Sequence, residues 1–292
     1  MFCSTIIPTV GRSTLPRAVC SVLEQDFHAD DFEVIVINDS GQPLPEMDWQ
    51  RSPRVRVIDT NHRERSVARN TGAAIATGTY LHFLDDDDLI LPGALQAFWK
   101  LAQTTNAAWL YGSYQSVDND GNLVHEFHPE VGGNIFALLV AGESIPFQAS
   151  LLKTQQFYAA GMFDPKITGV EDRDLGRRMA LAGDVAKTPA VVAQIRVGLV
   201  GSTTDWSRLA GDDRWGREKA LNEQSAFSRL WASAESSYLH GRVSRAYLAS
   251  LVWNLQHQNM LIAASRAVSV LAFTGQYFLT ADYWRGLRTR IK

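Results

Sequence analysis

Four consecutive carboxylates, Asp85-Asp86-Asp87-Asp88, directly follow an apolar run ending at Leu84. The C-terminal ends of strands are where open α/β sheets bind ligands. In an extended chain Asp85 and Asp87 point to one side. Two hard oxygen donors at that spacing suit Mg²⁺ or Mn²⁺, with coordination sites left for a diphosphate. The plainer alternative is a solvated acidic turn capping a helix that Pro92 opens. Adjacent like charges repel, so a cation tips the balance toward the ligand-binding reading.

Three other groups can join this chemistry. Asp39 ends a second apolar run and could accept hydrogen bonds from a nucleobase or ribose; its ordinary role would be an Asx turn. Arg63, Arg65 and Arg69 lie upstream of the acidic run, where they either meet an anionic ligand or form a solvated helix face. Glu171-Asp172 opens a helix. Asp172 is either a helix-terminal carboxylate or a general base, and a base needs burial or nearby negative charge to lift it from its usual value near ~4. The segment Pro8-Thr9-Val10-Gly11-Arg12 has neither the dinucleotide nor the P-loop glycine spacing, so phosphate must be held by a metal and arginines. Asp118, Asp120 and Gly121 resemble part of a calcium loop, but Phe127 stands where its bidentate Glu belongs, leaving a hairpin turn.

These residues need an alternating scaffold. Strands are expected at Phe2–Ile7, Phe32–Ile37, Val55–Ile58, Tyr80–Leu84 and Trp109–Tyr114. Helices are expected after Ser13 or Thr14, over Arg65–Ala76, from Pro92 to about Gln103, and from Glu171 to Gly183. The pattern predicts an α/β fold with a mostly parallel central sheet. After about residue 205 strand signals fade and residues 214–292 look helical, giving domains of 1–205 and 206–292, the second a C-terminal helical appendage.

Composition adds exclusions. A net charge of −3 gives no global basic field for nucleic acid. Cys3 and Cys20 read as reduced core residues, which fits a cytoplasmic protein. The N-terminus enters a strand-like run with no basic leader region, so no signal peptide is expected. The longest uncharged apolar candidate, Ala267–Ala281, is 15 residues, too short to span a bilayer comfortably.

Five segments in order carry a resemblance: Ile6-Ile7-Pro8-Thr9, Val34 to Ser40, Ala68-Arg69-Asn70-Thr71-Gly72, Phe83 to Asp88, and Glu171-Asp172 with Leu175. Together, over residues 2–205, they resemble the family 2 inverting glycosyltransferases of GT-A fold. The resemblance implies that Pro8 and Thr9 begin the nucleotide pocket, with Asp39 on the nucleobase and Arg65 and Arg69 nearby. It implies that Asp85 and Asp87 are the DxD pair, Asp87 on a divalent metal (Mn²⁺ or Mg²⁺) and Asp85 near the ribose. It makes Asp172 the catalytic base and puts Ile145–Gln148 and Gly161–Asp164 on the acceptor side. Two departures stand out: Asn38 replaces the first acid of the nucleobase motif, and Arg196-Val197-Gly198 lacks the His of an Arg-x-His metal or diphosphate ligand.

The expected reaction is transfer from a nucleoside-diphosphate sugar, UDP by family habit, to a hydroxyl of a carbohydrate or lipid-linked acceptor. A nucleotidyltransferase, which would need a triphosphate loop after the first strand, and an inactive sugar-nucleotide-binding module are the competing readings. Arg285, Arg288 and Lys292, near Phe278, Tyr283, Trp284 and Leu287, suit an interfacial helix holding the enzyme at the inner face of a membrane. A helix packed on the catalytic domain or in a homodimer is the alternative.

Overall fold

The computed structural model describes residues 1–28, 31–61, 64–198 and 206–289, with the backbone alone for 206–208. Arg63 and Lys292 lie outside the described residues. The first half alternates β1 (Cys3–Thr9), α1 (Leu15–Leu23), β2 (Phe32–Asn38), β3 (Val55–Asp59), α2 (Arg65–Ile75), β4 (Tyr80–Phe83), β5 (Leu89–Ile90) and α3 (Ala94–Ala102). Then follow β6 (Trp109–Val117), β7 (Leu123–Phe127), α4 (Phe136–Val140), β8 (Ser150–Lys153), α5 (Thr154–Ala159), α6 (Glu171–Ala182) and β9 (Val185–Arg196). The chain ends in α7 (Trp206–Asn222), α8 (Ala226–Ser233), α9 (Ser237–Gln256), α10 (Met260–Gly275) and α11 (Ala281–Arg288).

One sheet runs β3-β2-β1-β4-β8-β6-β9-β5, with β7 hydrogen-bonded to β6. The expected parallel order holds across β3-β2-β1-β4. Beyond β4 the pairing becomes mixed, because β8 returns antiparallel between β4 and β6 while β9 runs parallel to β6. Strands β1 and β2 are buried almost throughout, as expected of parallel strands covered on both faces.

Several local expectations shift. Thr14 precedes α1 without a side-chain cap bond. Pro92 does not open the next helix: Gly93, at φ 79°, precedes its start at Ala94, and Leu89–Ile90 first pairs with β9. The Asn119-Asp120-Gly121 turn joins β6 to β7, with the Asp120 and Asn122 N–H groups donating to Asp118 Oδ1. Helix begins at Trp206 rather than 214.

A single apolar cluster joins sheet and C-terminal helices: Trp109, Phe147, Leu175 and Met179 lie in the same buried core as Leu221, Leu230, Val243, Tyr247 and Phe273. Buried ion pairs reinforce the contact, Arg177 of α6 reaching Asp213 of α7 at 2.6 Å. Helix α11 crosses α9 with almost no space between backbones; a Cβ on Gly241 would lie 2.1 Å from the Tyr283 carbonyl, and one on Gly286 2.1 Å from the Tyr238 carbonyl. That crossing buries Tyr283, so Tyr283 packs on α9 and does not join an exposed aromatic face. Among the described residues no helix is long and apolar enough to cross a membrane.

Candidate functional site

The acidic run is not extended. It forms a tight turn in which the Asp88 N–H donates to the Asp85 carbonyl at 3.1 Å. The turn still divides the four side chains, with Asp85 and Asp87 half-buried and Asp86 and Asp88 buried. One oxygen each from Asp85, Asp87 and Asp88 lies within 4.8 Å of the others. The candidate cation ligands thus gain Asp88, which an extended chain would have pointed away.

Each carboxylate has different partners. Asp86 accepts from Thr9 Oγ1 at 2.5 Å and from Arg12 at 2.8 Å, so it anchors the turn to the end of β1. Arg12 also reaches Asp87 Oδ2 at 3.1 Å. Asp88 Oδ1 accepts the backbone N–H of Arg196 at 2.7 Å. Burial, then Asp85, push the Asp88 carboxyl well above the ordinary carboxylate range. Burial and the neighbouring Asp85 likewise raise Asp87. A divalent cation fits this set, since it supplies the positive charge that crowded, partly buried oxygen donors lack. The Arg196 side chain is directed elsewhere, donating to the Asn119 carbonyl at 2.6 Å.

Asp85 differs, because its two oxygens accept from Arg69 at 2.6 Å and from Gln148 at 2.8 Å. Burial pushes its carboxyl up, but Arg69, Arg65 and Gln148 outweigh burial and hold it below the ordinary value. Arg69 is the central cation. Its other nitrogen meets Glu171 Oε1 at 2.9 Å, and its guanidinium lies 5.3 Å from the ring centroid of Phe163. Arg65 approaches the same Glu171 oxygen at 3.4 Å.

The segment Ala68–Gly72 positions Arg69 through its neighbours. Asn70 exchanges two hydrogen bonds with the Phe163 backbone, at 2.8 and 3.1 Å. Gly72 lets α2 lie against β1, where a Cβ would be 2.5 Å from Ile6 Cγ2. The consequence is that α2, the acidic turn and the start of α6 meet at one point.

That meeting forms a cleft of about 90 Å³, lined by Arg65, Arg69, Asp85, Gln148, Glu171 and Asp172 together with Phe83, Phe147 and Gly169. It has room for several waters or a hydroxyl-bearing fragment. Asp172 is not a cap; Val170 holds that position without a side-chain bond. Its Oδ1 accepts the Arg173 N–H at 2.8 Å. Burial first, then Glu171, raise the Asp172 carboxyl above its ordinary value, despite its place at a helix N-terminus, which favours the anion.

Asp39 is buried at the end of β2 and accepts from Thr60 Oγ1 at 2.7 Å and from the Glu64 N–H at 3.0 Å. The Asx turn belongs to Asn38, whose Oδ1 takes the Ser40 N–H at 3.2 Å. Asn38 also donates to Asp59 at 2.7 Å, a bond an acid there could not make. Pro8 and Thr9 end β1 beside Asn38.

Sequence reasoning missed three contributors. Arg12 carried no signal beyond its place after β1. Gln148, expected only within an acceptor-side segment, instead donates to Asp85. His82 is buried and held neutral, its value lowered to about 4 by burial. Its Nε2–H donates to the Gln148 carbonyl at 2.9 Å, leaving Nδ1 to accept from Thr5 at 3.3 Å, so it fixes the residue that in turn holds Asp85.

With this geometry in hand, the comparisons with known proteins place the class. Residues 4–159 match the family described as Glycosyl transferase family 2, and the chain belongs to that family. The poly(ribitol-phosphate) β-N-acetylglucosaminyltransferase TarP of Staphylococcus aureus is 31% identical over 156 residues, 51% of this chain and 47% of TarP. A Campylobacter jejuni GalNAc(5)-diNAcBac-PP-undecaprenol β-1,3-glucosyltransferase is 31% identical over 131 residues, 42% of this chain and 41% of its own. The chain thus spans less than half the length of either. The crystal structure of S. aureus TarS 1–349 in complex with UDP-GlcNAc superposes with a TM-score of 0.66 at 14% identity, covering 94% of this chain and 93% of that one. That likeness establishes the GT-A fold.

Proposed function

We propose that the protein is a metal-dependent inverting glycosyltransferase that moves a sugar from a nucleoside diphosphate to an acceptor hydroxyl. The observation that carries this reading is convergence: Asp85 and Asp172, far apart in sequence, line one cleft and are tied through Arg69 and Glu171. In this reading Asp39, Pro8, Thr9 and Arg65 line the nucleotide pocket, with Arg69 holding Asp85 toward it. Asp85, Asp87 and Asp88 would hold Mn²⁺ or Mg²⁺. Such an ion supplies Lewis-acid stabilisation of the diphosphate's charge.

Asp172 acts as general base. Its carboxylate is oriented by the Arg173 N–H and takes the acceptor proton as the new C–O bond forms and the bond to the diphosphate breaks. A raised carboxyl suits that task, since a stronger base accepts the proton more readily. Attack opposite the leaving group inverts the anomeric centre in one displacement. A UDP sugar is the donor we favour, on the strength of the UDP-GlcNAc held by TarS. The acceptor classes follow the relatives' names: a polymer in TarP and a lipid-diphosphate-linked sugar in the C. jejuni enzyme.

The test starts with thermal shift against nucleoside diphosphates and their sugars, each with Mn²⁺ and with EDTA. One diphosphate should stabilise the protein only with metal; no shift with any of them defeats the donor-site reading. Donor hydrolysis should then fall about 10²–10⁴-fold in Asp172→Asn with donor binding kept. Its acid limb in the wild type should lie above the usual ~4 of an Asp, because Asp172 must be ionised and burial raises it. An unimpaired Asp172→Asn enzyme would remove Asp172 from the role of base.

A further inference from the structure

Helix α10 buries Ala263, Arg266, Ser269 and Phe273 and leaves its other side uncovered. On that side Leu261 is 89% exposed, Val268 66% and Leu271 71%, with Phe278 and Leu279 just beyond at 52% and 94%. Ala264 and Gly275 lie between them, also exposed. The set recurs at alternating three- and four-residue steps, the spacing of one helix face. Scattered exposed apolar side chains are ordinary on a protein surface, whereas a continuous stripe marks an interaction site.

The charge around the stripe indicates what covers it. Neither α9 nor α10 contains an Asp or Glu. From Ser236 onward the sequence has seven Lys or Arg residues and one acid, Asp282, although the whole chain carries −3; Arg242 and Arg266 among them are buried and lie against Glu143 and Glu218. The negative charge therefore belongs to the catalytic part and this region is basic. Arg285 and Arg288 are exposed on α11, Arg285 beside Asp282 at 3.2 Å. Trp284 stands at the end of the stripe, its indole N–H on the Phe278 carbonyl at 2.8 Å and its ring 5.3 Å from that of Phe278. Exposed leucines, an aromatic pair and nearby arginines that outnumber the one carboxylate of α11, Asp282, match the chemistry of an anionic bilayer surface.

We propose that this face docks on an anionic lipid bilayer, with α10 lying in the plane of the interface and the α11 arginines against headgroup phosphates. Its 16 residues reach about 24 Å, short of a hydrocarbon core of about 30 Å, so the helix lies on the membrane and does not span it. A second copy of the chain could cover the stripe, but it would bring two basic regions together. The docking helix is α10, supported by α11, and the surface is independent of the transfer reaction.

Co-sedimentation of the full chain with phosphatidylglycerol–phosphatidylcholine vesicles and with phosphatidylcholine vesicles tests this, alongside sedimentation velocity without lipid. The protein should bind the anionic vesicles about tenfold or more tightly than the neutral ones, and less at high salt. Val268→Asp with Leu271→Asp should abolish binding, and Arg288→Glu should weaken it and flatten its salt dependence. Both should keep the wild-type nucleotide-induced thermal shift, so a failure here is separable from a failure of the donor site. The proposal is overturned by equal or absent binding to both vesicle types, by stripe variants that bind like wild type, or by stripe variants that turn a dimer into a monomer. The last outcome would assign the face to a second copy.

Discussion

Replacing Arg69 by methionine should loosen the point where α2, the acidic turn and α6 meet. The Arg69, Glu171 and Asp85 side chains are 9%, 4% and 29% exposed, so the clasp is mostly out of water. Methionine can keep the apolar contact with Phe163. It leaves Glu171, whose Oε2 already makes no hydrogen bond, without its nearest cation. Removing one partner of a buried ion pair costs about 3–5 kcal/mol. Arg65 stays 3.4 Å from Glu171 and Asp85 is partly hydrated, which places the loss near the lower end, about 3 kcal/mol. For a chain of this size that is a fall of roughly 6–12 °C in melting temperature. The pH dependence has a definite sign. Arg69 helps hold Asp85 below its ordinary value, so its contribution is complete above the unfolded carboxylate value of about 4 and drains away as pH falls through the folded one. The gap between wild type and Arg69→Met should be widest near neutral pH and narrow below about pH 4. Urea denaturation across that range measures it, and adding Glu171→Gln should recover part of the loss. A deficit under about 1 kcal/mol at neutral pH, or no recovery in the double variant, would refute the clasp.

Two further predictions address the turn and its support. Asp88→Ala and Asp87→Ala should each weaken Mn²⁺-dependent binding of the diphosphate, since both offer oxygens within the same 4.8 Å set; calorimetry with and without Mn²⁺ reads this, and unchanged metal dependence in Asp88→Ala takes Asp88 out of the set. Gly72→Ala places a Cβ 2.5 Å from Ile6 Cγ2 and 3.3 Å from Ile37 Cγ1, an overpacking of about 1–3 kcal/mol. Its melting temperature should fall, and an unaltered one would show that α2 can retreat from β1 without cost.

The parallel half of the fold was legible because local signals there agree. Residues 34–37 form an unbroken buried run, and turn residues separate it from its neighbours. In the mixed half only β6, expected at Trp109–Tyr114 and found at Trp109–Val117, was legible as a strand. Strand β5 is two residues long and exists only because β9 runs beside it. Strand β9 contains Pro189, and its pairing with β6 shifts register near Gly112 and Ser113, so no clean period of two survives. The C-terminal helices were legible as helices, but their share in the core was not, because it depends on which face each presents to α4 and α6.

The acidic run shows most clearly what residue types reveal and what geometry adds. An extended chain would set Asp85 and Asp87 on one side; the observed turn keeps the same pairing in burial, with those two half-buried and Asp86 and Asp88 buried. The turn separates the four by what each already holds: Asp86 anchors Thr9 and Arg12, Asp85 is held by Arg69 and Gln148, Asp88 takes a backbone N–H, and Asp87 meets the half-exposed Arg12. Charge repulsion alone argued for a counter-ion somewhere along the run. Within the proposed set, Asp87 and Asp88, whose carboxyls burial and neighbouring acids push upward, are the donors that most need a cation, while the charge of Asp85 is already balanced in part by Arg69 and Gln148. Arg69 was one of three equivalent-looking arginines in the sequence. Its place between Asp85 and Glu171 depends on α6 arriving from more than a hundred residues away, a contact that local pattern does not encode.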